Sequence, residues 1–546
     1  HTVRALFLLG ANDGVLPAAE NRGGVLRDED REALERQQIF LAPHGMKQFH
    51  LEIQNLYAAL AQPTEKLTVS YPVSDGKGAE KRPSFVIGRI ARLLPSISVE
   101  TESADKEYRL SAKSTALEYA GEHIGGALWQ YFEGQGDAER ALAAMKDASR
   151  YTRGHLSRDA VHALYGGAVT LSASRMDMAR SCHFAYFMRY GLKARERTGA
   201  GFDAPQIGTF VHDVMEHTLR QAKECGGLHT LSKDKLHALV RASIEEYIDR
   251  VLPDLCEKSA RFRYLFNRLC AAVERIMDEV SEELQSSDFE PLAFELAFGA
   301  DGQLPAITIR EENGTARVVG KVDRVDGWLH DGKLYLRVVD YKTGKKSFDL
   351  AELRYGLGLQ MLLYLFTLKE EGQMLFGGHE IVPAGVLYTP AREPMLRCAR
   401  DTEPEKIEKA LKKELRRSGM VLEDPAVLQA MEHSALESPC YLPIAVKRDG
   451  AVTGSLASAE QLGKLSKYVD HILHEITQEV FAGNIDADPY ARTPQQSACT
   501  YCEFASACHF ENGCGSDRME YIKATKNDEF WQYIDEVNGE GAHENG

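Results

Sequence analysis

The chain has 546 residues, 44% of them apolar and 27% charged, the composition of a folded protein of about three domains rather than of a disordered one. It contains no run of about 18 apolar residues, so no membrane-spanning helix is expected. The net charge of −16 disfavours a general nucleic-acid coat but leaves room for local basic patches, one of which is Arg189, Lys193, Arg195 and Arg197.

The opening HTVRALFLLGAND lacks an initiator Met and the basic, cleavable pattern of a signal peptide. It reads as a strand entered mid-domain, as in a fragment of a longer protein. A Gly-rich turn, a charged helix, a second helix at LEIQNLYAALAQ, a strand at EKLTVSYPVSD and an amphipathic helix at KRPSFVIGRIARLL complete an α/β unit over residues 1–97. Residues 98–170 read as a polar helical connector broken at Gly134-Gln135-Gly136. Ser172 is placed to cap a helix starting at Ala173. Residues 207–222 form a helix with Ile207, Val211, Val214 and Thr218 on one stripe, and two or three more helices fill 230–286. Short strands follow at FELAFG, AITIR, ARVVGKVDRVDGWL and KLYLRVVDYKTG, with Asp331-Gly332 as a hairpin turn. One long helix is expected over about 351–370, and a polar tail over 516–546.

Alternation along KLYLRVVDYK puts Leu334, Leu336, Val338, Asp340 and Lys342 on one face. The preceding strand offers Asp323 on a face shared with Lys321, while Asp326 falls on the opposite face and ranks second. Two carboxylates on paired strands can hold a hard cation such as Mg²⁺. Beside them, Lys342 can orient a water and offset charge growing on a phosphate. His212 and Glu216 share a helix face at i and i+4, making His212 a further ligand candidate. The spacing His-x₃-Glu-His is not that of zinc proteases. Gln360 and Tyr364, also i and i+4, are placed to touch the metal site or a DNA backbone. Each residue alone has a plain structural explanation; their order gives them weight.

That order is G-T-x-V-H-x₃-E on a helix, G-x-x-D, a hairpin, V-D-Y-K, then Q-x₃-Y on a helix. It resembles the RecB-type branch of the PD-(D/E)XK nucleases, with Gly208, Thr209, Gly320 and Tyr341 completing the match. The resemblance implies an α/β fold with a central mixed sheet flanked by helices. It assigns the metal to His212, Asp323 and Asp340 and a catalytic role to Lys342, with Asp323, Gln360 and Tyr364 in the same site.

The tail carries Cys499-x₂-Cys502-x₅-Cys508-x₅-Cys514, and Cys182 stands far upstream. Four thiolates can hold zinc or an iron–sulfur cluster. The spacing leaves two groupings open: the four tail residues as a local zinc knob, or Cys182 with Cys499, Cys502 and Cys508. The second is similar to the [4Fe–4S] clasp of AddB-type nuclease domains, although Cys-His-Phe stands here in place of the more usual Cys-Pro-Phe. Cys225, Cys256, Cys270, Cys398 and Cys440 read as small buried hydrophobes.

LFLLGANDGVLPAAENRGGVLRDEDREAL resembles the late motor region of UvrD/RecB-like helicases, in the AddB-type form. No G-x₄-G-K-[ST] occurs, so ATP hydrolysis by this piece is not expected. The resemblance therefore covers residues 1–97 as the end of a helicase-like domain and 171–515 as a nuclease closed by the cluster. It implies a heterodimer with an AddA-like motor and nuclease subunit, in a bacterial, cytoplasmic, nucleoid-associated setting. The substrates would be single-stranded DNA and duplex ends, with Chi-regulated, Mg²⁺-dependent cutting of the strand that ends 5′. The alternatives are a stand-alone RecB-like single-strand exonuclease and a non-catalytic DNA-binding scaffold.

Overall fold

The computed structural model describes all residues except 1, 19–25, 27, 44, 75–79, 101–108, 151, 196–203, 254–258, 300–301, 345, 395, 397, 399–401, 494 and 545–546. Arg197 of the basic patch and Cys256 lie outside the described residues. The chain forms two compact units, His1–Ser149 and Arg150–Gly546. No helix among the described residues is long and apolar enough to cross a membrane.

In the first unit the apolar strand Val3–Leu8 pairs in parallel with Pro63–Val69. Helices Asp28–Arg36 and Gly45–Leu60 run between them, the crossover that parallel pairing demands. The Ser84 hydroxyl accepts from the Val86 amide and caps Phe85–Leu93. Helices Lys113–Glu122, Ala127–Phe132 and Asp137–Ser149 pack around Trp129, Phe132 and Leu142. The expected break falls between the last two, with Gly134 and Gly136 at φ of 81° and 48°.

In the second unit α1 spans Ala173–Ser181, starting where expected, although Ser172 bonds the Ser174 hydroxyl instead of a cap amide. Helices α2 (Ala204–Glu224), α3 (Lys233–Val251) and α4 (Ala260–Gln285) follow. The predicted stripe of α2 is real: Phe210, Val211, Val214, Met215 and Thr218 have no exposed surface. The central sheet contains β1 (Glu290–Phe298), β2 (Gly320–His330), β3 (Lys333–Lys342), β4 (Glu380–Pro390), β5 (Ser418–Leu422) and β6 (Leu456–Ala457), in that spatial order. It is mixed, with β3/β4 and β5/β6 parallel and the other pairs antiparallel. Asp331 (φ 48°) and Gly332 (φ 77°) make the β2–β3 turn, both left-handed as a two-residue type I′ hairpin needs.

Three expectations change. The single helix over 351–370 is two, Leu350–Arg354 and α5 (Gln360–Glu371). Gly356 and Gly358 hold φ of 75° and 68° between them. A Cβ on Gly356 would come 2.9 Å from Arg180 Nε, and the Gly358 amide donates to Asp177 Oδ1 at 2.9 Å, so the break seats the chain against α1. Residues 150–170 pack within the second unit, where Ala168–Leu171 pairs with Gly314–Val318. The tail is not merely polar: helix Asn527–Glu544 buries Phe530, Trp531 and Ile534 and packs on the long helix Ala459–Phe481.

One face of the β2–β3 hairpin carries a buried ionic network. Arg324 and Arg337 both pair with Asp326 at 2.8 Å, and Arg337 reaches Glu283 of α4 at 3.3 Å. Arg417 joins Glu283 at 2.6 Å, and all five side chains are 0–2% exposed. This accounts for Asp326: its carboxylate is committed to two guanidiniums on the face away from Asp323. Asp326→Asn should therefore cost about 3–5 kcal/mol, read as a lower denaturant midpoint for the second unit. Burial alone would raise the Glu283 pKa, but Arg417, Arg337 and Arg324 hold it down at about 2. Since the folded pKa is depressed, its stabilisation is full above the unfolded value near 4.5 and fades as pH falls toward 2. Glu283→Gln should flatten the dependence of the denaturation midpoint on pH within that window.

Candidate active site

His212 of α2 meets Asp323 near the start of β2 and the Tyr341 main chain near the end of β3. His212 Nδ1 lies 3.3 Å from Asp323 Oδ2, and its Nε2 bonds the Tyr341 carbonyl at 2.8 Å. The ring is thus held by the main chain of the V-D-Y-K strand, with Nδ1 turned to the carboxylate. Burial acts against the imidazolium; Asp323 outweighs it and raises the His212 pKa. Asp323 Oδ2 also accepts from the Tyr341 amide at 2.8 Å.

Asp340 is 4% exposed on the neighbouring strand. Its Oδ2 lies 2.6 Å from Lys342 Nζ, off the direction of a hydrogen bond, and is otherwise buried without a partner. Burial first, then the Asp323 charge, pushes the Asp340 pKa up to about 6. The buried Asp340 carboxylate, repelled by the half-buried Asp323 carboxylate on the neighbouring strand, forms with it a site that a divalent cation would relieve.

The sequence does not single out Glu295. It sits on β1 beside Asp323 of β2, and its carboxylate, Asp323 and His212 offer ligand atoms all within 4.8 Å of one another. Its backbone is left-handed (φ 49°) inside a strand, a strained conformation of the kind that gathers at functional sites. Lys321 forms an ion pair with it. Its one signal is an acid in the apolar run FELAFG, a pattern too common to point to a site.

Gln360 Nε2 donates to the Tyr364 hydroxyl at 3.2 Å. Tyr364 is buried and packs edge-on to Phe298. A Cβ at Gly320 would come within 2.5 Å of the Tyr364 ring, so the glycine of G-x-x-D lets α5 approach the sheet near Asp323. Glu216 pairs with Arg220 at 2.8 Å on α2.

Cys182, Cys499, Cys502 and Cys508 line one cleft of about 680 Å³; Cys514 is exposed and does not line it. Burial raises the Cys182 thiol to about 12, Cys499 to about 11, and Cys508 as well. Among the described residues no three of these sulfurs lie within 4.8 Å of one another. Arg153 fastens the cleft. It pairs with Asp517 at 2.8 Å, donates to the Cys508 carbonyl at 2.8 Å and stacks over Phe184 at 4.5 Å. Arg189 of the basic patch pairs with Glu503, between Cys502 and Cys508, at 2.6 Å.

The chain is 31% identical to the B subunit of the ATP-dependent helicase/deoxyribonuclease of Ruminiclostridium cellulolyticum, over 98% of this chain and 49% of that protein. For the proteins of the same name in Acetivibrio thermocellus and Caldanaerobacter subterraneus the identities are 32% and 30%, covering 98% and 100% of this chain and 48% and 49% of theirs. The chain spans about half the length of the curated relatives it matches. The family model of the PD-(D/E)XK nuclease superfamily matches residues 170–509, which contain the central sheet, the His212–Asp323–Asp340–Lys342 cluster and the four cleft cysteines. The chain belongs to the PD-(D/E)XK nuclease superfamily.

Proposed function

We propose that this chain hydrolyses phosphodiester bonds of DNA, as part of the B subunit of an ATP-dependent helicase/deoxyribonuclease that acts on broken duplex ends. The observation that carries the reading is the buried Asp340 carboxylate paired with Lys342, on the strand whose Tyr341 main chain holds Asp323 and His212. The relatives' shared name supports the assembly. An AddA-like motor and nuclease subunit is the partner in this reading, as the resemblance to AddB-type proteins implies. The strand cut is the one that ends 5′, under Chi control, and the setting is the bacterial cytoplasm at the nucleoid.

His212, Asp323 and Asp340 would hold Mg²⁺, with Glu295 within reach as a further oxygen donor. When bound, Mg²⁺ supplies positive charge to the phosphoryl oxygens and lowers the pKa of water. Lys342 Nζ orients the attacking water and offsets charge on the non-bridging oxygens. A water oxygen forms the new bond to phosphorus, and the bond to the 3′ oxygen breaks. The proton the water releases is matched by the one the 3′ oxygen takes up. Gln360 fixes the Tyr364 hydroxyl, and Tyr364 supports the start of β2 rather than meeting the phosphate.

For the cleft, the reading is a [4Fe–4S] cluster on Cys182, Cys499, Cys502 and Cys508. Four cysteines from both sides of the nuclease core lining one cavity of about 680 Å³ support it. A cluster there would join residues on both sides of the nuclease core and lower the entropy of its unfolded chain.

Asp340→Ala should lower kcat for end-labelled single-stranded DNA with Mg²⁺ by at least about a hundredfold. EDTA should abolish cleavage by the native chain. Equal activity of the native and Asp340→Ala chains would refute the assignment. For the cleft, the native chain should be brown and contain iron, and Cys502→Ser should lose the colour and melt at lower temperature. A colourless chain with stoichiometric zinc would overturn the cluster.

A further inference from the structure

A second feature lies next to Lys342, at the edge where the parallel strands β3 and β4 end. A cleft of about 170 Å³ is lined there by Lys342, Lys346, Arg392, Lys413 and Arg416, with Glu414 the one acid. The cations come from four segments: the end of β3 and its following loop, the residues just after β4, the last turn of α6 (Pro404–Glu414), and the loop into β5. Five cations to one acid is the reverse of the chain as a whole, where 65 Lys and Arg face 81 Asp and Glu.

Lys342 pairs with Asp340 at 2.6 Å, and the other cations of the cleft are only partly offset. Among the described residues neither Lys413 nor Arg416 pairs with a carboxylate. Arg416 donates to the carbonyls of Ile444 and Pro439 at 3.2 and 2.5 Å, and its Nε is buried without a partner. Lys346 reaches Glu352 only at 3.9 Å, and Arg392 reaches Glu414 at 3.5 Å. A cleft lined by five cations and one acid favours a polyanion. Lys342 lines both this cleft and the acidic site, so a phosphate chain in the cleft leads directly to the metal ligands.

We propose that this cleft holds the phosphodiester backbone of one nucleic-acid strand next to the scissile bond, through Lys346, Arg392, Lys413 and Arg416. The proposal rests on the nuclease reading and takes a single strand, rather than a duplex, as the form bound next to Lys342.

The test uses the native chain, K346A/K413A and the charge-preserving K346R/K413R; both positions are exposed and outside the catalytic cluster. Binding of fluorescent oligothymidylate is measured by anisotropy in EDTA across a salt series, and cleavage is measured separately with Mg²⁺. K346A/K413A should bind about tenfold more weakly, with a slope of log affinity against log salt shallower by about 1.4 for two lost contacts. Its KM should rise about tenfold with kcat within about twofold, and K346R/K413R should restore both. Native-like affinity and slope in K346A/K413A would overturn the proposal, as would equally tight binding of blunt duplex or no binding by the native chain. If binding falls as stated but the native chain does not cleave, the cleft stands and the nuclease reading fails. If the native chain cleaves and K346A/K413A is unchanged, the reverse holds.

Discussion

Tyr341 links the two faces of the central sheet through three hydrogen bonds. Its amide donates to Asp323, its carbonyl accepts from His212, and its hydroxyl accepts from Arg324 at 2.7 Å. The first two set the candidate metal ligands; the third ties the same residue to the buried network behind them. The positions of His212 and Asp323 are thus inherited from strand register rather than from loops. A one-residue slip of β2 would bring Arg324 to the site and send Asp323 among the guanidiniums, an error with an electrostatic cost on both faces at once. The network carries three guanidiniums and two carboxylates, which makes it costly to bury but hard to rearrange.

Charge is also divided along the edge of the sheet. Asp323 and Glu295 lie together beside His212, Asp340 stands on the strand next to Asp323, and Lys342 and Lys321 are each in contact with one acid. On the other side of Lys342 the balance reverses into the cationic cleft. An acidic protein can therefore address a polyanion, because what the strand meets is the local field and not the sum. Lys342 stands at the boundary between the two.

Much of this is legible in the sequence where a residue's effect is local. The Asp331-Gly332 turn, the alternation that separates Asp323 from Asp326, and the apolar stripe of α2 all follow from backbone periodicity and turn chemistry. Glu295 is hidden because only cross-strand register and a left-handed backbone bring it to Asp323. The cationic cleft is hidden because its residues come from four separate segments. The glycines of Tyr355-Gly356-Leu357-Gly358-Leu359 are visible, but helical periodicity on both sides masks a break whose reason lies in Asp177 and Arg180 of α1.

The distance along the chain between the two walls of the cysteine cleft bears on how the protein is made. The His183 amide donates to Asp488, 305 residues later, and Arg153 meets Asp517 across 364 residues. At about 5–20 residues per second, a ribosome takes roughly 15–70 s to supply the second half of such a contact. Through that interval the segments carrying Cys182 and His212 have emerged without the tail that packs beside Cys182. Closure of this cleft is therefore late and long-range, and a nascent chain stalled before residue 499 would present the apolar wall of the cleft, with Phe184 and Ala185, to chaperones and proteases.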